Sequence, residues 1–247
     1  MGISRGPNPI ITDGLVFAAD ALNPRCWEDG EATFNNLYEV TNSTPGNLYN
    51  QTSASLAQQG SWEFDARDDY IQSSKISIGE KMTVGGWLYN DLNWSTARTF
   101  LASSHYYSNS SSTVYNGNIL IRLESATSVV FAIYDARTSR VSSFTFTAMS
   151  ADTLSLNNWH NLFITAENGG SAKLYVNGEL KASNITVSSM TDGFADFNTG
   201  GLVIGADISH TNADWDGFIT GVLLYNKVLS ASEIKSNYDS TKIRFGL

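Results

Sequence analysis

Residues 157–180 read NNWHNLFITAENGGSAKLYVNGEL. Between Trp159 and Ala166 the side chains alternate. Trp159, Asn161, Phe163 and Thr165 fall on one side, and His160, Leu162, Ile164 and Ala166 on the other. A period of two is the pattern of a β-strand. Gly169 and Gly170 follow and accept positive φ without a Cβ clash, so the chain turns there. Leu174, Tyr175 and Val176 form a second strand. Asn177-Gly178 is the dipeptide that two-residue type I′ hairpins favour, and residues 179–183 return beside it. One short segment therefore predicts three antiparallel strands.

The rest of the chain extends this pattern. Residues 14–20, GLVFAAD, predict a first strand. Residues 21–60 are polar and turn-rich, with Pro24, Gly30, Pro45 and Gly46, and read as a long excursion with at most short strands. Trp62 to Asp65 and Tyr70 to Gln72 are strands on either side of a turn. Residues 82–88, MTVGGWL, are a strand whose Gly85 and Gly86 imply a close backbone approach or a bulge. Residues 99–103, 119–124, 129–134, 141–149, 202–205 and 218–225 are further strands. One helix is expected near the end. Ser230 is its N-cap and Glu233, three residues on, completes a capping box, with Leu229 and Ile234 placed as a hydrophobic staple.

Composition narrows the classes. Apolar residues make up 42% and charged residues 16% of 247, which is a globular chain long enough for a substantial core. The net charge is −9 and no basic stripe is visible, so nucleic acid is not an expected partner. No apolar run approaches a membrane span, and the N-terminus carries no apolar signal segment. Cys26 is the only cysteine, which excludes an intrachain disulfide and reads as a structural thiol. Five Asn-x-Ser/Thr sequons, at Asn42, Asn50, Asn93, Asn109 and Asn184, are read as chance in a Ser/Thr-rich chain. Residues 1–13, with Gly2, Gly6, Pro7 and Pro9, are expected to form an arm. Residues 14–247 are expected to be one domain.

These motifs carry a resemblance. The W-H strand followed by L-Y-V-N-G resembles the signature hairpin of laminin-G-like, concanavalin A-like jelly-roll domains. FDARDDYI, residues 64–71, is similar to the family's F-D-G-x-D-D-Y-I, with Ala66 where glycine is usual. Residues 82–88 resemble the family's central strand, residues 202–205 its L-x-I-G strand, and residues 215–234 its closing strand and helix. In that closing strand Thr220, Gly221, Val222 and Leu223 replace polar residues, so burial on both faces or cover by a partner is expected. The resemblance implies an antiparallel two-sheet jelly-roll β-sandwich with a short C-terminal helix.

The opening GLVFAADALNP and the ending NYDSTKIRFGL resemble laminin-G-like proteins encoded by tailed bacteriophages. This implies a non-catalytic virion protein, a capsid decoration or a tail or fibre appendage. Its partners would be other virion proteins, host-surface glycans and further copies of itself. A carbohydrate-binding module or adhesin outside a virion is the alternative, and a glycan hydrolase the third reading.

The candidate chemistry is sparse. Glu63, Asp65 and Asp68 resemble in part the E-x-D-x-(x)-E of laminarinase-type glucanases, which share the fold. Phe64 is a core candidate, so alternation turns Glu63 and Asp65 outward and no catalytic residue is assigned. His105, His160 and His210 lack zinc-motif spacing, and His160 sits inside the strand motif as a structural residue. Asp20, Asp65, Asp69, Asp207, Asp214 and Asp216 could supply oxygen ligands, and calcium occurs in relatives of this fold, but no spacing fixes a metal site. A sugar site would pair aromatic faces with polar side chains. Trp94, Tyr106, Tyr107, Tyr115 and Trp215, in or beside loops, are the expected platforms. Trp87 and Trp159 are assigned to the core.

Overall fold

The computed structural model describes residues 9–28, 31–34, 46–49, 59–74, 76, 78–89, 97–103, 107–109, 112–114, 118–135, 140–147, 154–189, 193–194, 201–206 and 214–247. In chain order these form β1 (Leu15–Ala19), β2 (Thr33–Phe34), β3 (Gly46–Tyr49), β4 (Trp62–Asp65), β5 (Tyr70–Gln72) and β6 (Lys81–Tyr89). Then come β7 (Arg98–Ser103), β8 (Tyr107–Asn109), β9 (Ser112–Val114), β10 (Asn118–Ser125), β11 (Ser128–Asp135) and β12 (Arg140–Thr147). The chain continues with β13 (Trp159–Glu167), β14 (Ser171–Val176), β15 (Glu179–Thr186), β16 (Leu202–Ile204) and β17 (Asp216–Tyr225). Helix α1 (Ala231–Thr241) and a 3-10 turn, Lys242–Phe245, close it.

Two antiparallel sheets form the sandwich. One runs β1-β17-β6-β13-β14-β15, with β4 also paired to β17. The other runs β12-β11-β10-β7-β16-β5-β3-β2. Strands β8 and β9 make a separate small hairpin.

The deciding hairpin forms as the sequence predicts. Leu162 pairs with Val176 and Ala166 with Ala172 across β13 and β14. Asn177 and Gly178 have φ of 53° and 76°, both positive as a type I′ turn requires. The Asn177 side chain then accepts the Asn161 N–H at 2.9 Å, tying the turn to β13. Leu162, Ile164 and Ala166 enter the sandwich core beside Phe17, Trp62, Phe64, Phe100, Phe131 and Trp215.

The opposite face of this sheet is also covered, which explains the apolar run in β17. Phe163, Tyr175, Leu223 and Tyr225 pack with Leu229 and Ile234 and with Ile10 and Ile11. Trp87, Trp159 and Phe218 pack with Phe245. Trp87 and Trp159 are thus buried, but beneath the C-terminal segment rather than between the sheets. Residues 10 and 11, assigned by sequence to the arm, belong to this second layer. The Ile11 N–H donates to Asn237 at 2.8 Å, and its carbonyl accepts from the Tyr225 hydroxyl at 3.0 Å. Residues 1–8 lie outside the described residues.

The helix start matches its sequence signal. Glu233 N–H donates to Ser230 Oγ at 3.3 Å, and Ser230 N–H donates to the Glu233 carboxylate at 2.7 Å. Leu229 and Ile234 are both buried in one cluster, as a staple should be. Ser230→Ala should cost about 1 kcal/mol, because a first-turn N–H loses its acceptor. Urea denaturation of the two proteins side by side measures this, and equal midpoints would refute the cap.

Ala66 adopts φ 62°, the left-handed conformation that glycine enters at less cost. The tight turn therefore survives the replacement of the family's glycine. Cys26 is buried, accepts the Asp20 N–H at 3.3 Å, and burial pushes its thiol up to about 12. It stays protonated and unreactive, as expected of a structural thiol.

Candidate functional site

Strands β3 and β5 build a face that combines stacked aromatic rings with amide side chains. Leu48 and Ile71 point into the sandwich core. Alternation turns Asn47, Tyr49, Tyr70 and Gln72 to the other face. Register then sets Tyr49 opposite Tyr70 and Asn47 opposite Gln72. The two tyrosine rings stack with centroids 4.4 Å apart and planes 9° from parallel. Asn47 Nδ2 donates to the Tyr49 hydroxyl at 3.4 Å. Burial, and then the neighbouring Tyr49, hold the Tyr70 hydroxyl above its ordinary pKa, so it remains a donor.

The same outward row continues across the sheet. Gln72 pairs with Val203, Val203 with Ala102, and Ala102 with Leu120. Tyr70 and Leu120 pack on Ala102, Val203 and Ala206 as a small apolar cluster. Beyond it stands the Arg122–Glu124 ion pair. Aromatic faces, planar amides and a short apolar floor are the groups that hold a pyranose ring.

The platforms expected from sequence are distributed differently. Trp94, Tyr106 and Tyr115 lie outside the described residues, and so does the side chain of Tyr107, whose backbone forms part of β8. Trp215 is fully buried in the sandwich, its ring 6.1 Å from that of Phe100. It is a core residue and not a surface platform. The sequence placed it beside a loop, but its ring turns inward where β17 meets the opposite sheet.

The acidic candidates separate into distinct roles. Glu63 and Asp65 are exposed while Trp62 and Phe64 are buried, as alternation predicts. Asp65, Asp68 and Asp69 bring carboxylate oxygens within 4.8 Å of one another. Asp65 N–H donates to Asp69 at 3.1 Å. Burial first, then the Asp65 charge, raise the Asp69 carboxyl from the ordinary 3.8 to about 6. Asp20 is committed elsewhere, to Arg244 at 2.8 Å. Asp216 lies 3.7 Å from Arg98, whose guanidinium also donates to the Asp214 carbonyl at 3.2 Å. Asp207, His105 and His210 lie outside the described residues. His160 is buried with Nε2 2.9 Å from the Ser155 carbonyl, and burial lowers its pKa, so it is neutral and structural.

The two antiparallel sheets and the signature hairpin point to one lineage, and comparison with known families agrees. The model of the concanavalin A-like lectin/glucanases superfamily, laminin-G type, matches residues 65–235. The chain belongs to this superfamily. Among curated proteins, none matches the sequence. Solved structures of similar shape include botulinum neurotoxin receptor-binding domains. The superfamily domain matches the receptor binding domain of botulinum neurotoxin C/D mosaic serotype at TM-score 0.67 and 16% identity, over 96% of this chain and 55% of that one. It matches the botulinum neurotoxin serotype D ligand binding domain, solved with N-acetylneuraminic acid, at TM-score 0.66 and 16% identity, over 95% and 54%. The binding domain of Paraclostridial Mosquitocidal Protein 1 aligns at TM-score 0.63 and 15% identity, over 92% and 52%. The domain thus spans about half the length of these structures, and identity this low speaks for the fold alone.

Proposed function

We propose that this chain is a non-catalytic, lectin-like virion protein, a capsid decoration or a tail or fibre appendage, that adheres to glycans through the outer face of its eight-stranded sheet. The stacked pair Tyr49–Tyr70, flanked by Asn47 and Gln72, carries the adhesive part of this reading. One feature supports non-catalysis. Glycoside hydrolysis sets two carboxyls about a sugar in a water-limited cleft. Glu63 and Asp65 instead stand exposed on one short strand. The virion assignment rests on the resemblance of the two chain ends to phage-encoded proteins.

A glycan array probed with the isolated chain tests adhesion. Tyr70→Ala should weaken binding at least roughly tenfold, as loss of a central aromatic contact does. Undiminished binding would move the site elsewhere. Reducing-end assays on a polysaccharide panel should stay at background, and activity abolished by Glu63→Gln would favour the hydrolase reading. Mass spectrometry of purified particles distinguishes a virion component from a free module.

Calcium at Asp65, Asp68 and Asp69 belongs to the same proposal, since three carboxylates are a hard-oxygen donor set. Asp69 binds its proton more tightly folded than unfolded. Without calcium its contribution to stability is therefore full below the ordinary 3.8 and is lost as pH rises through about 6. Millimolar calcium should raise the melting temperature at pH 7 and have little effect near pH 4. A pH-independent calcium effect, or none, counts against the ion.

A further inference from the structure

Asn-Gly pairs occur in the chain at Asn116, Asn168 and Asn177. In such a pair the side-chain amide is followed by a backbone N–H that no Cβ shields, so that nitrogen can reach the asparagine Cγ. Asn116-Gly117 lies outside the described residues. The other two pairs stand at opposite ends of β14, and the fold encloses one and not the other.

At Asn177 both reacting groups are held. Its Oδ1 accepts the Asn161 N–H at 2.9 Å, and its own N–H donates to the Asn161 carbonyl at 2.8 Å. Gly178 is buried, and a Cβ placed on it would lie 2.9 Å from Lys235 Cδ and 3.1 Å from Tyr238 Cβ on α1. The attacking nitrogen thus sits under a helix, and the side chain cannot swing toward it without releasing β13. At Asn168 neither group is enclosed. Gly169 is exposed, in a turn closed by the Gly170 N–H on the Glu167 carbonyl at 2.9 Å. The nearest atoms to a Cβ there belong to Ser189, which is itself exposed. Asn168 Nδ2 donates to the carboxylate of Glu80, an exposed contact for which water competes.

We infer that Asn168 is a site of spontaneous covalent modification, deamidation to aspartate and isoaspartate, and that the fold protects Asn177 from the same reaction. The Gly169 nitrogen bonds to Asn168 Cγ and gives up its proton. The Cγ–Nδ2 bond breaks and ammonia leaves, which closes a succinimide ring. Solvent water then adds to one of the two ring carbonyls. Opening on one side yields aspartate, and on the other isoaspartate, in which the main chain runs through the former side chain. The aspartate product replaces the Nδ2 donor with a carboxylate beside that of Glu80, so attraction becomes repulsion.

The full chain incubated at mildly alkaline pH and sampled over time tests this. Trypsin cuts after Arg140, Lys173 and Lys181, so Asn168 falls in residues 141–173 and Asn177 in residues 174–181. Fragmentation mass spectrometry of the two peptides locates each amide-to-acid change. Asn168 should convert at least roughly tenfold faster than Asn177, because Asn177 reacts only after a local opening that breaks its hydrogen bond to β13. In a fully denatured chain the two sites should convert at similar rates. No conversion at Asn168, equal rates in the folded chain, or a gap that persists in denaturant overturns the inference. Asn168→Asp carries the product from the outset and should melt below the unmodified chain, and an unchanged melting temperature counts against the repulsion from Glu80.

Discussion

Gly85→Ala should destabilise the domain by about 3 kcal/mol or more, among the largest effects of any single methyl in this chain. Gly85 sits mid-way along β6, opposite Phe163 on one side and Leu223 on the other. A Cβ there would collide with the Leu162 carbonyl oxygen and lie 2.7 Å from Phe163 Cγ. Backbone cannot yield easily, because β6 is held by hydrogen-bonded strands on both edges. Moving the Phe163 ring would disrupt the layer that it forms with Tyr175, Leu223 and Ile234. Gly79 provides the control, since an added Cβ meets nothing within 4 Å. Gly79→Ala should change stability by no more than about 0.5 kcal/mol. Chemical denaturation of both variants measures the contrast, and a loss below about 1 kcal/mol for Gly85→Ala would show that the close approach is not real.

The sequence made some of this legible and hid the rest for identifiable reasons. Period-two alternation and an Asn-Gly turn are local, so β13, β14 and the turn at Asn177 could be read directly. The capping box at Ser230 is equally local. The glycines of β6 announced a close approach without saying to what. The Tyr49–Tyr70 face was not legible because it depends on register between strands far apart in the chain. Asn47 and Tyr49 alternate with Leu48, and Tyr70 and Gln72 with Ile71, so which side chains face outward could have been inferred. That Tyr49 lies on Tyr70 could not, since β3 and β5 pair across β4 and a long connection. Trp215 shows the converse error. Proximity to a loop in sequence says nothing about which way a ring turns, and this one turns into the core. Apolar patterning marked Trp87 and Trp159 as buried but could not name the layer that buries them, because that layer comes from the end of the chain.

Arg244 fastens that layer, and Arg244→Ala should cost about 2–4 kcal/mol. Its guanidinium spends every donor. Nε donates to the Gln59 carbonyl at 2.7 Å, and Nη1 to both Asp20 oxygens at 2.8 Å. Nη2 donates to the Gly60 carbonyl and, at 3.3 Å, to Thr220 Oγ1. One side chain in the 3-10 turn thereby joins the end of β1, the turn before β4, and β17. The Asp20 and Arg244 side chains keep 30% and 18% exposure, so water can partly rehydrate Asp20 when its partner is lost. That places the cost below the upper end for a fully buried pair. Arg244→Lys keeps the charge but not the planar fork, and should recover less than half of the loss. The released segment would uncover Trp87 and Trp159, which pack on Phe245. Tryptophan emission of Arg244→Ala should therefore move to longer wavelength at denaturant concentrations where far-ultraviolet circular dichroism still reports intact sheets. Coincident fluorescence and circular dichroism transitions would mean that the C-terminal layer does not open by itself and unfolds only with the whole domain.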